Sequence, residues 1–161
     1  MTIATVTLTE YEMQIAYTVA VQRLSQNMAL KRKNTYGQTL DSLDDHALGS
    51  ISEMGLAKHY GRYWSGAVGN IKAKDVGLLQ ARASYNSRAG LILHPEDPDE
   101  DRFFLITVQQ NVCTIHGWVL GKSGKQQEFW DPKRADGSRI LTAGRPAFLI
   151  PQGSPVLISP S

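Results

Sequence analysis

Apolar positions at three- and four-residue steps govern the first part of the chain. Met13, Ala16, Tyr17, Ala20, Leu24 and Met28 recur in this way, while Gln14, Thr18 and Gln22 lie elsewhere on the helical wheel. Gly and Pro are absent from this stretch. Thr9 and Glu12 match the Ser/Thr-x-x-Glu capping box, so the pattern predicts an amphipathic helix over about 10–30. Residues 1–8, apolar and Thr-rich, read as a short strand or an ordered tail. A connection with a basic start follows over 31–42. Its Lys31, Arg32 and Lys33 suit either a solvated helix end, where they complement the dipole, or phosphate contact. Leu43, Ala47, Ile51 and Met54 form the stripe of a second helix, predicted to begin near Asp44 or Asp45, either suited to cap it, and to run to about Tyr60. Gly61 supplies a stop. Glu53 lies on this helix, near the stripe but not in it.

After residue 70 the period changes to that of strands. The segments 78–84 and 90–93 read as strands, and 102–108 and 112–120 read so more strongly. Gln109, Gln110 and Asn111 join the last two as a tight hairpin. The stretch 95–101 holds two prolines and five acids, a surface loop without the glycine of a calcium-binding loop. Residues 121–147 predict a long irregular excursion anchored by Phe129 and Trp130. Phe148, Leu149 and Ile150 predict a late short strand or turn. Leu157 and Ile158 are expected to dock, and Ser159, Pro160 and Ser161 to fray. Helix, helix, then strands is an α+β order: two N-terminal helices packed on a mixed, largely antiparallel sheet. One domain over 1–161 is expected, with its core over about 9–120.

Composition narrows the class. In 161 residues, 42% are hydrophobic and 20% charged, which excludes a disordered or fibrous chain. No uninterrupted apolar run reaches the roughly 18 residues of a membrane span, so no membrane partner is expected. The one cysteine, Cys113, excludes an intrachain disulfide and a Cys-based zinc cage. With no signal peptide, it points to a reducing cytoplasm. Cys113 sits in a predicted strand as a buried, inert thiol. His46, His59, His94 and His116 share no metal-ligand spacing.

The segment 72–84 carries candidate chemistry. Gln80 and Arg82 are two apart on a strand and share a face, while Leu79, Ala81 and Ala83 turn to the core. Gly77 permits a sharp bend that brings Asp75 beside Gln80. Glu53 reaches the same spot if its helix packs on this sheet. An acid on a helix, then Asp, then Gln-x-Arg on the following strand resembles the PD-(D/E)XK nuclease superfamily, over about residues 44–120. The wording is also similar to small phage proteins of this type. The resemblance implies a restriction-endonuclease-like core and a catalytic set of Glu53, Asp75, Gln80 and Arg82. Glu53, Asp75 and Gln80 would hold Mg2+ or Mn2+, which lowers the pKa of a water and stabilises charge on the phosphate. Gln80 and Arg82 depart from the Glu-x-Lys of that pattern. A neutral amide oxygen binds metal more weakly than a carboxylate. Arg82 can stabilise the transition state but cannot serve as a base.

Charge adds to this picture. From 58 to 88 the basic residues are Lys58, Arg62, Lys72, Lys74, Arg82 and Arg88, against the single acid Asp75, in a chain whose net charge is +2. Tyr60, Tyr63, Trp64 and Tyr85 are interleaved, a combination suited to phosphate contact and base stacking. Lys58, Arg62, Lys72, Lys74 and Arg88 are therefore the expected nucleic-acid contacts. The function expected is metal-dependent cleavage of nucleic acid, with DNA as the substrate and a homodimer as the form such nucleases often take. Two alternatives stand beside it. One is a catalytically inactive DNA-binding module on the same scaffold. The other is a phage-encoded inhibitor of a host protein that uses the acidic loop 96–101 or the aromatic region around Phe129 and Trp130.

Overall fold

The capping box closes as its spacing predicts. The Thr9 N–H donates to Glu12 Oε1 at 2.8 Å, and the Glu12 N–H donates to Thr9 Oγ1 at 3.1 Å. A computed structural model describes residues 2–30, 42–62, 64–66, 76–130, 136 and 146–161. Helix α1 spans Glu10–Leu30 and follows strand β1, Ala4–Thr7. Helix α2 spans Leu43–Tyr60. Ser42 holds its N-cap position without a side-chain bond, and Asp44 and Asp45 fall in the first turn rather than at the cap. Gly61 ends α2 in the left-handed conformation, φ 59°, where its N–H reaches back to Lys58 O.

The strands follow as β2 (Leu79–Ser84), β3 (Leu91–Leu93), β4 (Arg102–Gln109) and β5 (Val112–Leu120). A short helix α3 (Gly121–Gly124) and a 3-10 turn (Gln127–Phe129) come next, in the region expected to be irregular. Strand β6 is Phe148–Ile150. The fold is α+β. Its main sheet is mixed, in the order β1-β5-β4-β2, with β2 parallel to β4 and the other neighbours antiparallel. Strands β3 and β6 make a second, two-stranded antiparallel sheet.

Alternation along the strands divides the core in two. Phe104, Ile106, Val108, Cys113 and Ile115 face the helices. Phe103, Leu105 and Val119 face β3, β6 and Leu157 on the other side. Helix α2 lies on the sheet and α1 lies on α2. Being covered on two sides, α2 is buried at every position from Ser50 through Ala57. Small residues make this feasible, and their hydroxyls are satisfied: Ser50 Oγ donates to Ala16 O at 2.8 Å and Ser52 Oγ to Gly49 O at 2.8 Å. The outer position of α1 also corrects its expected stripe. Ala16 and Ala20 are buried, but Tyr17 and Met28 are exposed.

The tail is a second correction. Ile158 exchanges two backbone bonds with Trp118, at 2.8 and 3.0 Å. Pro160 is buried, and its carbonyl accepts from Tyr60 Oη at 2.8 Å and lies 2.7 Å from His59 Nε2. Ile158 thus docks as expected, whereas Pro160 is docked where fraying was expected. Among the described residues, no helix is long and apolar enough to cross a membrane.

Candidate anion cleft beside strand β2

Residues 76–79 form the tight turn expected at Gly77. Val76 and Leu79 exchange both backbone bonds at 3.0 Å, and Gly77 holds φ 63°. Leu79, Ala81 and Ala83 then pack on the helix side, so Gln80, Arg82 and Ser84 turn to the opposite side. There Gln80 Nε2 donates to Asp101 Oδ2 at 2.9 Å. Arg82 Nη2 donates to Asp97 Oδ1 at 2.8 Å, and the guanidinium lies over the Phe103 ring at 5.0 Å. Asp97 is fixed in turn by the His94 N–H at 2.7 Å.

Glu53 is elsewhere. It is buried between the helices, where Arg23 Nη1 of α1 meets Glu53 Oε2 at 2.6 Å. It lies on the helix side of the sheet, across from Gln80 and Arg82. This corrects the expectation that Glu53 reaches the same spot as Gln80 once its helix packs on the sheet. A metal at Glu53 and Gln80 does not fit this arrangement: one side chain is neutralised by a guanidinium, and the other points away from it. Asp75, Lys72 and Lys74 lie outside the described residues. Among those described, no three His, Cys, Asp or Glu side chains form a group that could hold a metal ion.

The described basic residues of 58–88 do not form one patch. Lys58 Nζ binds Glu12 Oε1 at 2.7 Å and Thr7 O at 2.9 Å. Arg62 lies beside Gly77, at the start of β2. Arg88 lies beyond the other end of β2. The aromatic residues are mostly spent on packing. Tyr60 stands edge-on to Phe104 at 5.5 Å, Trp64 packs on the helix-side core, and Tyr85 Oη donates to Asp44 O at 3.0 Å. Tyr63 lies outside the described residues.

Arg82 and Arg88 line the same cleft. It has a volume of about 510 Å³ and opens between the end of β2 and the β3–β6 sheet. Ser84, Asn86 and His94 add polar groups, Ile92 and Leu149 give apolar wall, and among the described residues no carboxylate lines it. Arg82 arrives already matched by Asp97. The Arg88 side chain is exposed and makes no hydrogen bond or ion pair with the described residues, and its N–H is held by Asn86 Oδ1 at 3.0 Å. The cleft thus presents one compensated and one uncompensated guanidinium, an arrangement that accepts an anionic group.

The acidic loop is partly paired by lysines at α3. Lys125 Nζ reaches Asp99 Oδ1 at 2.6 Å and Asp97 O at 2.7 Å, and Lys122 Nζ reaches Glu100 Oε1 at 3.0 Å. Phe129 packs on the second core, and Trp130 stacks edge-on to Phe148 at 4.8 Å, so both anchor the segment as expected. Cys113 is fully buried, which pushes its thiol up to about 11. The histidines are dispersed: His46 beside Asn27, His59 on Pro160 O, His116 on Thr107, and His94 at the cleft. Sequence reasoning named Arg82 and Arg88 for separate roles and missed that β3 and β6 enclose them together. The resemblance to PD-(D/E)XK nucleases rests on Glu53, Asp75, Gln80 and Arg82 alone. No protein-family model, curated protein or solved structure matches this chain.

Proposed function

We propose that this chain is a nucleic-acid-binding module that grips the phosphodiester backbone, with DNA as the ligand, in the cleft between β2 and the β3–β6 sheet. The observation that carries the reading is the cleft lined by Arg82 and Arg88, with no carboxylate among its described lining residues. A phosphate entering it meets the free Arg88 guanidinium first. Arg82, positioned by Asp97 and Phe103, forms the fixed inner wall. Ser84 and Asn86 offer neutral donors of the kind that fix a backbone without reading sequence.

Cleavage at Glu53, Asp75 and Gln80 is less well supported, because Glu53 is paired with Arg23 on the other side of the sheet. An inhibitor acting through the acidic loop is also less well supported, because Lys122, Lys125 and Arg82 already pair with three of its five carboxylates.

The test is binding of labelled duplex DNA by the full chain, with and without Mg2+ and Mn2+. Metal-independent binding is expected. It should weaken as salt rises, and Arg88→Ala should weaken it about tenfold, the size of one lost charge-assisted contact. Binding that Arg88→Ala leaves unchanged overturns the cleft. Cutting by the natural chain that disappears in Asp75→Ala restores the nuclease reading instead.

A further inference from the structure

The pairing registers place four hydroxyl residues in one line across the main sheet. Thr5 of β1 is opposite Thr114 of β5, Thr114 is opposite Thr107 of β4, and Thr107 is opposite Ser84 of β2. Their neighbours Val6, Cys113, Ile106, Val108 and Ala83 all pack on the helix side. The four hydroxyl residues therefore share the opposite face, which, among the described residues, β3 and β6 cover at the end of Phe103, Leu105 and Val119.

Thr107 is buried, with Oγ1 2.7 Å from His116 Nε2. His116 is the extra residue of a bulge, since Leu105 pairs with Gly117 and Ile106 with Ile115. Thr107 thus positions His116, while Thr5, Thr114 and Ser84 retain surface. At four adjacent strands the row is about 14 Å long, close to the ~12 Å width of a duplex major groove. Thr7 and Gln109, exposed on the same face, extend the uncharged surface beside it. Ser84 belongs both to this row and to the arginine cleft.

We infer that this hydroxyl row is a second contact surface for the backbone of a double-stranded nucleic acid, continuous with the Arg82–Arg88 cleft. The inference rests on the cleft reading and specifies its ligand. Hydroxyls donate to phosphate oxygens and tolerate any sequence. Among the described residues, those on this face beside the row, Thr7 and Gln109, are not aromatic, and the exposed Tyr85 next to Ser84 turns its hydroxyl to Asp44 of α2, so the surface suits paired strands whose bases are turned inward. Its length matches the distance from one lip of a groove to the other.

The experiment compares the full chain, the Thr5→Val/Thr114→Val variant and Arg88→Ala by fluorescence anisotropy. The probes are a 20-base-pair DNA and a single strand of the same length. Valine keeps the β-branched shape and strand preference while removing the hydroxyl, and an unchanged thermal midpoint verifies the fold. The double variant should bind duplex about tenfold more weakly, and its weaker single-strand binding should be unaltered. Unchanged duplex binding by the double variant, with weakened binding by Arg88→Ala, overturns the row and leaves the cleft standing. Single-strand binding as tight as duplex binding overturns the duplex assignment. No binding of either DNA by the natural chain overturns the cleft and the row together.

Discussion

Removing the charge of Glu53 leaves the Arg23 guanidinium, 18% exposed, without its carboxylate between two helices. Glu53→Gln is expected to cost about 2 kcal/mol, the usual penalty for stranding one member of a partly buried pair. It should appear as a lower urea midpoint with an unchanged slope. The paired variant Arg23→Met/Glu53→Met should recover most of the loss, because neither charge of the pair then remains between the helices. The same residue shows why the candidate site was only partly legible. The helical wheel places Glu53 beside its stripe but contains no information on Arg23, thirty positions earlier on another helix. For Gln80 and Arg82, strand alternation gave the correct common face. The enclosing walls come from His94 and Leu149, which no local pattern links to β2.

At the scale of elements, the start of α1 depends on a reciprocal cap and a cation. The Lys58 ammonium, followed by the Thr9 N–H, holds the Glu12 carboxyl below its ordinary value of 4.5. A lowered folded pKa means that this stabilisation is present above about pH 4.5 and is lost as pH falls through the folded value. The thermal midpoint should therefore drop on acidification, and drop less in Glu12→Gln. Thr9→Ala at neutral pH should cost about 1 kcal/mol, the common value of an N-cap, measured by urea unfolding. The cap was legible because Thr9 and Glu12 lie within four residues, whereas the Lys58 contact, 46 positions away, was not. Strands β4 and β5 were legible for the same reason, as two apolar runs joined by a short turn. The parallel pairing of β2 with β4 was not, because its partner choice depends on where β3 crosses. Nor was the layering: the stripe of α1 includes Tyr17 and Met28, which are exposed because α1 covers α2 rather than the sheet.

For the molecule as a whole, the two cores predict unequal resistance to opening. The helix-side core joins α1, α2 and the main sheet, whereas β3 and β6 have three residues each. Native-state hydrogen exchange should release the amides of β3 and β6 before those of β4 and β5, since small units with few partners open at lower free energy. Equal protection throughout would mean that the sheets open as one. The order of the strands also sets a schedule for synthesis. Ala4 pairs with Ile115, so the edge strand β1 is made about 110 residues before its partner. At the usual ~5–20 residues per second, that is an interval of roughly 5–20 s in which β1 has no ladder to join. The alternating threonines of β1 then face a nascent, crowded surrounding as a polar fringe rather than an adhesive one. Closure of the sheet on β1 thus waits for a strand made more than a hundred residues later, and β1 meets its ladder as a finished segment rather than a growing one.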